Sequence, residues 1–192
     1  MGNTLPNLWP SSGAKKEYRI IIWGLWYSGK TTILYNRLMG MDDVTPVSTI
    51  GFNIETITHK DKNFLIFDLG GRDKLRPQWR EYFSKPDALI YVVDATETNR
   101  LKDAAYELKC LLEFTGLYDK SSSTPVLVFA NKNDLEGTKP AGEILEALQP
   151  KALQHQRWKV VPCSALRAYG IDEGMDWLAV SYLLLRRLNK AN

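Results

Sequence analysis

Gly24-Leu25-Trp26-Tyr27-Ser28-Gly29-Lys30-Thr31-Thr32 fits the phosphate-binding pattern G-x-x-x-x-G-K-[ST]. It lies between an apolar run, Tyr18-Arg19-Ile20-Ile21-Ile22-Trp23, and an amphipathic run over residues 30–39, so the pattern predicts strand, loop and helix in that order. Glycines let such a loop wrap close to a polyphosphate, and its successive N–H groups and the following helix N-terminus face the anion. Lys30 then reaches the outer phosphates and Thr31 ligates Mg²⁺. Nucleotide binding is the expectation, with an incidental glycine turn as the competing reading.

Around that loop, 192 residues with 44% hydrophobic and 24% charged content predict one soluble α/β domain with a sizeable core. A net charge of +3 is too small to argue for nucleic acid. Lys15-Lys16 and Arg186-Arg187 are the basic clusters that anionic lipid headgroups would meet. Cys110 and Cys163 lie far apart, without a C-x-x-C pair and with only His59 and His155 beside them, so neither a metal centre nor a disulfide framework is expected. They read as small buried hydrophobes in a reducing compartment. No apolar run is long enough to span a bilayer, and the N-terminus lacks the order of a secretory signal, so a cytoplasmic location is expected.

Residues 1–16, carrying Pro6, Pro10, Ser11, Ser12 and Gly13, read as an N-terminal appendage, and the folded domain is expected over 17–192. After the first helix, residues 45–51 read as a loop. Strands are expected over 52–58 and 64–69, joined by a polar turn over 59–63, as a hairpin. Residues 88–94 and 125–131 are apolar enough to be strands buried on both faces, and helical segments over 100–114 and 141–148 alternate with them. Residues 158–163 supply a last strand and 171–188 a last helix, whose stripe is Leu178, Leu183, Leu184, Leu185 and Leu188. Ser121-Ser122-Ser123 reads as an exposed loop. The alternation predicts a mostly parallel sheet.

Three further motifs follow predicted strands. Asp68-Leu69-Gly70-Gly71 places a carboxylate where it reaches a nucleotide-bound Mg²⁺ and a glycine N–H where it meets a terminal phosphate. Asn131-Lys132-Asn133-Asp134 stands where a base is read. A carboxylate at Asp134 accepts from the N1–H and 2-amino group of guanine, which adenine lacks, so GTP is favoured over ATP. Asn131 ties this loop to the phosphate loop and the Lys132 stem lies across base and ribose. Ser164-Ala165-Leu166 offers a backbone N–H to the guanine carbonyl.

With these motifs, and with Thr49-Ile50-Gly51-Phe52-Asn53-Ile54-Glu55, Leu75-Arg76-Pro77-Gln78-Trp79-Arg80-Glu81-Tyr82-Phe83 and Met175-Asp176-Trp177-Leu178, the chain resembles the small GTPases of the Arf and Arf-like family over residues 17–185. The segments at Thr49 to Asn53 and Arg76 to Arg80 separate that family from the Ras and Rab branches. The resemblance implies a three-layer Ras-like fold: a six-stranded, mostly parallel sheet with one antiparallel edge pair and helices on both faces. It implies a switch that recruits effectors while GTP is bound, in membrane traffic or in ciliary or cytoskeletal organisation.

By position, the resemblance makes Gly24, Trp26, Tyr27, Ser28, Gly29, Lys30, Thr31 and Thr32 the phosphate cradle. Thr31 and Thr49 ligate Mg²⁺, Asp68 holds a metal-bound water, and Gly71 donates to the γ-phosphate, so that loss of this phosphate releases two switch loops. The hairpin between the switches slides in register on exchange. Phe52, Phe67 and Tyr82 match an aromatic triad on which effectors dock, with Phe67 in place of the usual tryptophan. An exchange factor, an activating protein and effectors are implied as partners of a monomer or of a subunit in an assembly. A peripheral place on Golgi, endomembrane or cilium is implied with them.

Two departures fall on hydrolysis. Arg72 stands where the family has the glutamine that orients the attacking water, and a guanidinium has donors but no acceptor. Trp26 and Tyr27 stand where close relatives have small or acidic residues. With Lys30, Gly71 and Arg72 as the groups around the reacting phosphate, slow intrinsic hydrolysis is expected. Alternatives are a partner that supplies the catalytic machinery, or aromatic crowding that leaves a nucleotide-free structural subunit. Gly2 is a lipidation candidate, although Pro6 stands where the myristoylation motif takes Ser or Thr.

Overall fold

Alternate residues of each central strand point to opposite sides, and both sides are apolar here, so every strand needs a helical layer above and below. The computed structural model describes residues 17–41, 49, 51–70, 83, 85–118, 122–148 and 157–190, with 182–190 described by backbone alone. The strands are β1 (Glu17–Trp23), β2 (Phe52–His59), β3 (Lys62–Leu69), β4 (Ala88–Asp94), β5 (Val126–Asn131) and β6 (Trp158–Pro162). They form one six-stranded sheet in the order β2-β3-β1-β4-β5-β6. β2 pairs antiparallel with β3 and the remaining neighbours are parallel. This is the predicted architecture. The expected appendage at 1–16, residues 42–48 of the first loop, and Gly71, Arg72 and Tyr82 lie outside the described residues.

Helix α1 opens as an α-helix at Lys30–Thr32 and continues as a π-helix at Ile33–Leu38. A 3₁₀ turn at Thr98–Arg100 leads into α2 (Leu101–Thr115), followed by α3 (Ala141–Leu148) and α4 (Ile171–Lys190). One face of the sheet, with Ile21, Leu89, Tyr91 and Val128, packs on Ala104, Leu108, Leu111 and Leu112 of α2 and on Ile144 and Leu148 of α3. The other, with Ile20, Ile22, Ile90 and Phe129, packs on Ile33 and Leu34 of α1 and on Ile171, Met175, Leu178 and Ala179 of α4. Their odd and even numbering along β1 shows the strand period directly. Within the expected α4 stripe, Leu178 is buried, while the side chains from Leu183 onward lie outside the described residues. Both cysteines are free; Cys163 is buried as expected, whereas Cys110 on α2 is only half-buried.

Local chemistry sets the element ends. Helix α2 stops at Gly116, whose φ of 72° turns the chain so that Gly116 and Leu117 N–H groups satisfy the last carbonyls. The hairpin turn is tighter than the predicted 59–63: only Lys60 and Asp61 lie outside the strands, at φ 45° and 62°. Two consecutive positive φ values match the right-handed twist of a two-residue hairpin. Lys-Asp lacks the glycine or asparagine that marks such a turn, which is why the sequence implied a longer one. Asp176 of α4 clasps this turn, meeting Lys60 Nζ at 2.5 Å and His59 Nε2 at 2.7 Å, and hydrogen bonds with Lys60 and His59 hold its carboxyl below the usual carboxylate range.

Candidate functional site

Strand β1 has β3 on one side and β4 on the other, so the chain turns both ways at its carboxyl end, where ligands bind in open α/β sheets. The loop from Gly24 to Gly29 leaves from that point. Gly24 has φ 151° and a Cβ there would overlap the Val92 carbonyl oxygen, while a Cβ on Gly29, at φ 95°, would overlap Asn131 Nδ2. The two glycines let the loop fold over β4 and β5.

Lys30 points into the loop and is 7% exposed, and its ammonium donates to the carbonyls of Gly24 and Leu25, each at 2.9 Å. Burial lowers its pKa to about 8, with Asp68 opposing the shift and Arg100 adding to it. A desolvated ammonium under a loop of amides is short of negative charge, which a polyphosphate supplies. Ser28 Oγ is likewise buried with no hydrogen-bond partner.

Three segments meet beside Lys30. Thr31 Oγ1 donates to Asp68 Oδ2 at 3.0 Å, Thr49 Oγ1 donates to the same oxygen at 3.2 Å, and the two hydroxyls lie 3.2 Å apart. The Gly70 N–H donates to Gly51 O at 2.7 Å, and the Thr49 carbonyl lies so close to Gly70 that a Cβ there would overlap it. Asp68 is fully buried, its Oδ1 has no partner, and burial raises its pKa against the pull of Lys30 and the two threonines. A carboxylate with a free buried oxygen beside two hydroxyls is a donor set for a hard cation, so the residues present fit Mg²⁺. Among the described residues no three His, Cys, Asp or Glu side chains converge, so phosphate and hydroxyl oxygens would have to share in holding it.

The expected base loop is assembled. Asn131, 2% exposed, donates to Ser28 O at 2.8 Å, and its Oδ1 accepts from the Ala165 N–H at 3.0 Å. It therefore joins the phosphate loop to the segment after β6. Lys132 has φ 63° and pairs through Nζ with Asp94 at 2.5 Å. Asp134 is exposed, and a hydrogen bond with Ser164 holds its carboxyl below the usual range. Ser164 N–H donates to Tyr169 O at 3.1 Å.

Trp26 and Tyr27 are 63% and 76% exposed, so their bulk projects outward from the loop. The Arg100 guanidinium lies 5.3 Å from the Trp26 ring centroid and pairs with Glu97 at 2.5 Å. Phe67, expected on a docking surface, is instead 7% exposed and packs edge-on against Phe83 at 5.1 Å, while Phe52 meets the same ring at 5.7 Å. Motif reading passed over Asp94, Arg100 and Arg37. The place of Asp94 at the carboxyl end of a parallel strand was a usable signal. Arg37, whose guanidinium donates to the carbonyls of Ala165 and Leu166, carried none.

The model of the ADP-ribosylation factor family matches residues 6–182. The protein "ADP-ribosylation factor J" of Dictyostelium discoideum is 40% identical over 175 residues, which make up 91% of this chain and 90% of that one. Among solved structures, the Arl6 BBS3 small GTPase from Trypanosoma brucei, with bound nucleotide analogue GppNp, is similar with a TM-score of 0.74 and 30% identity. That match covers 87% of this chain and 98% of the other.

Proposed function

The chain belongs to the ADP-ribosylation factor family, and from that premise we propose that it is a guanine-nucleotide switch with slow intrinsic hydrolysis. The observation that carries the nucleotide reading is the meeting of Thr31, Thr49 and the half-satisfied Asp68 beside a desolvated Lys30. A cation held there would give the unpartnered buried oxygen of Asp68 a partner. Lys30 would neutralise the outer phosphates, Thr31, Thr49 and Asp68 would hold Mg²⁺, and Asp134 would read the guanine edge. When bound, Mg²⁺ supplies charge neutralisation of the phosphate oxygens. Trp26 and Tyr27 face away, which favours an open pocket over a nucleotide-free subunit.

Slow hydrolysis follows from Arg72: its guanidinium cannot accept a hydrogen bond from water as the glutamine amide oxygen does. Thr49 and Gly71 would report the γ-phosphate to the two switch segments, and a surface around Phe52 and Tyr82 would recruit effectors. Exchange and activating proteins would set the nucleotide state, at a cytoplasmic membrane surface in traffic or in ciliary organisation, with Gly2 as the lipid attachment point.

Nucleotide extracted from the purified protein and a single-turnover hydrolysis assay on the same preparation test this. Bound guanine nucleotide with turnover well below that of a glutamine-bearing relative is expected, and Arg72→Gln raises the rate. Turnover equal to the relative's would overturn the hydrolysis reading. Absence of any guanine-nucleotide binding in the presence of Mg²⁺ would overturn the switch itself.

A further inference from the structure

We propose that Arg37 is a positioning residue for purine recognition, acting from α1 to aim the backbone donor that meets the base carbonyl. This rests on the guanine-nucleotide reading above. Arg37 lies in the π-helical part of α1, where Met39 N–H bonds back to Leu34 O. Such widened turns recur at functional sites. Its Nε donates to Ala165 O and its Nη2 donates to Leu166 O at 2.7 Å. One planar guanidinium thus grips two successive carbonyls of the segment after β6, which a lysine ammonium cannot do in a fixed geometry.

The consequence lies in the peptide planes. Three N–H groups of this segment are committed: Ser164 to Tyr169 O, Ala165 to Asn131 Oδ1 and Arg167 to Ser164 Oγ at 2.9 Å. The Leu166 N–H has no partner among the described residues. It belongs to the same planar trans peptide as the Ala165 carbonyl and points the opposite way. Holding that carbonyl therefore sets the direction of the free N–H. Because α1 begins at Lys30, the same helix that meets the phosphates fixes the donor for the base.

The test uses the full chain, stripped of nucleotide and titrated with GDP, 6-thio-GDP, whose sulfur is a weaker acceptor, and IDP, which lacks the 2-amino group read by Asp134. For Arg37→Ala, GDP affinity is expected to fall about tenfold, the loss of one well-aimed hydrogen bond. The preference for GDP over 6-thio-GDP shrinks with it, the preference for GDP over IDP stays as in the wild type, and Arg37→Lys falls between. An unchanged GDP to 6-thio-GDP ratio in a folded variant overturns the inference, as does a parallel fall of both ratios, which is what mere loosening of the loop produces. Should Arg37→Ala fail to fold, the same ratio in Arg37→Lys decides. Wild-type protein that binds no GDP sinks the underlying reading and this one together, whereas wild-type binding with an unmoved ratio sinks this one alone.

Discussion

Replacing Asn131 by alanine removes a side chain that satisfies two buried backbone groups on two different segments. Its Nδ2 serves Ser28 O at 2.8 Å and its Oδ1 serves the Ala165 N–H at 3.0 Å. Ser28 and Ala165 are 1% and 3% exposed, so water cannot readily replace either bond. Each orphaned group costs roughly 1–3 kcal/mol, which places the loss at about 2–6 kcal/mol. That is a large share of the ~5–15 kcal/mol that holds a domain together, yet short of unfolding most of them. Urea unfolding of the nucleotide-free protein would show a lower midpoint at constant m-value. Guanine-nucleotide affinity would fall as well, because the phosphate loop and the base loop lose their common anchor. Asn131→Asp separates hydrogen bonding from shape: it keeps an acceptor for Ala165 but sets an oxygen against the Ser28 carbonyl, so it also destabilises. A loss below about 1 kcal/mol for Asn131→Ala, or a silent Asn131→Asp, would refute the reasoning.

Lys30 gives a pH signature. Its pKa is lowered to about 8 in the fold from 10.5 in the unfolded chain, so the cost of burying the ammonium is fully present below pH 8 and relieved as pH rises toward 10.5. Ligand-free protein should therefore gain on the order of 3 kcal/mol from this group across that window, a rise absent in Lys30→Met, measured by urea midpoints at stepped pH. Nucleotide affinity should weaken over the same interval as the ammonium loses its proton. Gly29→Ala forces a Cβ at φ 95° onto Asn131 Nδ2 and should abolish tight nucleotide binding while costing roughly 1–3 kcal/mol of stability, read by calorimetric titration and thermal melting. Leu108, fully buried between α2 and the sheet, should lose about 2–5 kcal/mol on truncation to alanine, seen as a shifted urea midpoint.

The strands and their order of alternation with helices were legible because buried parallel strands write themselves as short apolar runs. Residues 88–94 and 141–148 match the observed β4 and α3 in both type and bounds. The phosphate loop and the Asn131 to Asp134 motif were legible because each is contiguous and its spacing is dictated by ligand atoms. The two-residue turn at Lys60-Asp61 was not, since Asp61 tolerates a left-handed φ but Lys60, which must adopt one as well, carries no such signal. Phe67 shows the limit of positional reasoning: an aromatic expected to face a partner packs on Phe83 instead, because neighbours absent from its own segment decide which way a strand residue is covered.

Local sequence alone determined that this chain carries a phosphate loop, a guanine-type reading motif and an alternating α/β order, because each depends on residues a few positions apart. Tertiary structure alone decided that both threonine hydroxyls close on one oxygen of Asp68 and leave the other free, that Asn131 also accepts from Ala165, and that Arg37 reaches two carbonyls far along the chain. Those contacts join residues separated by 19 to 129 positions. No pattern of local spacing encodes them. They exist because a sheet brings the carboxyl ends of its strands to one edge, and burial then leaves each polar atom there to find a partner or await a ligand.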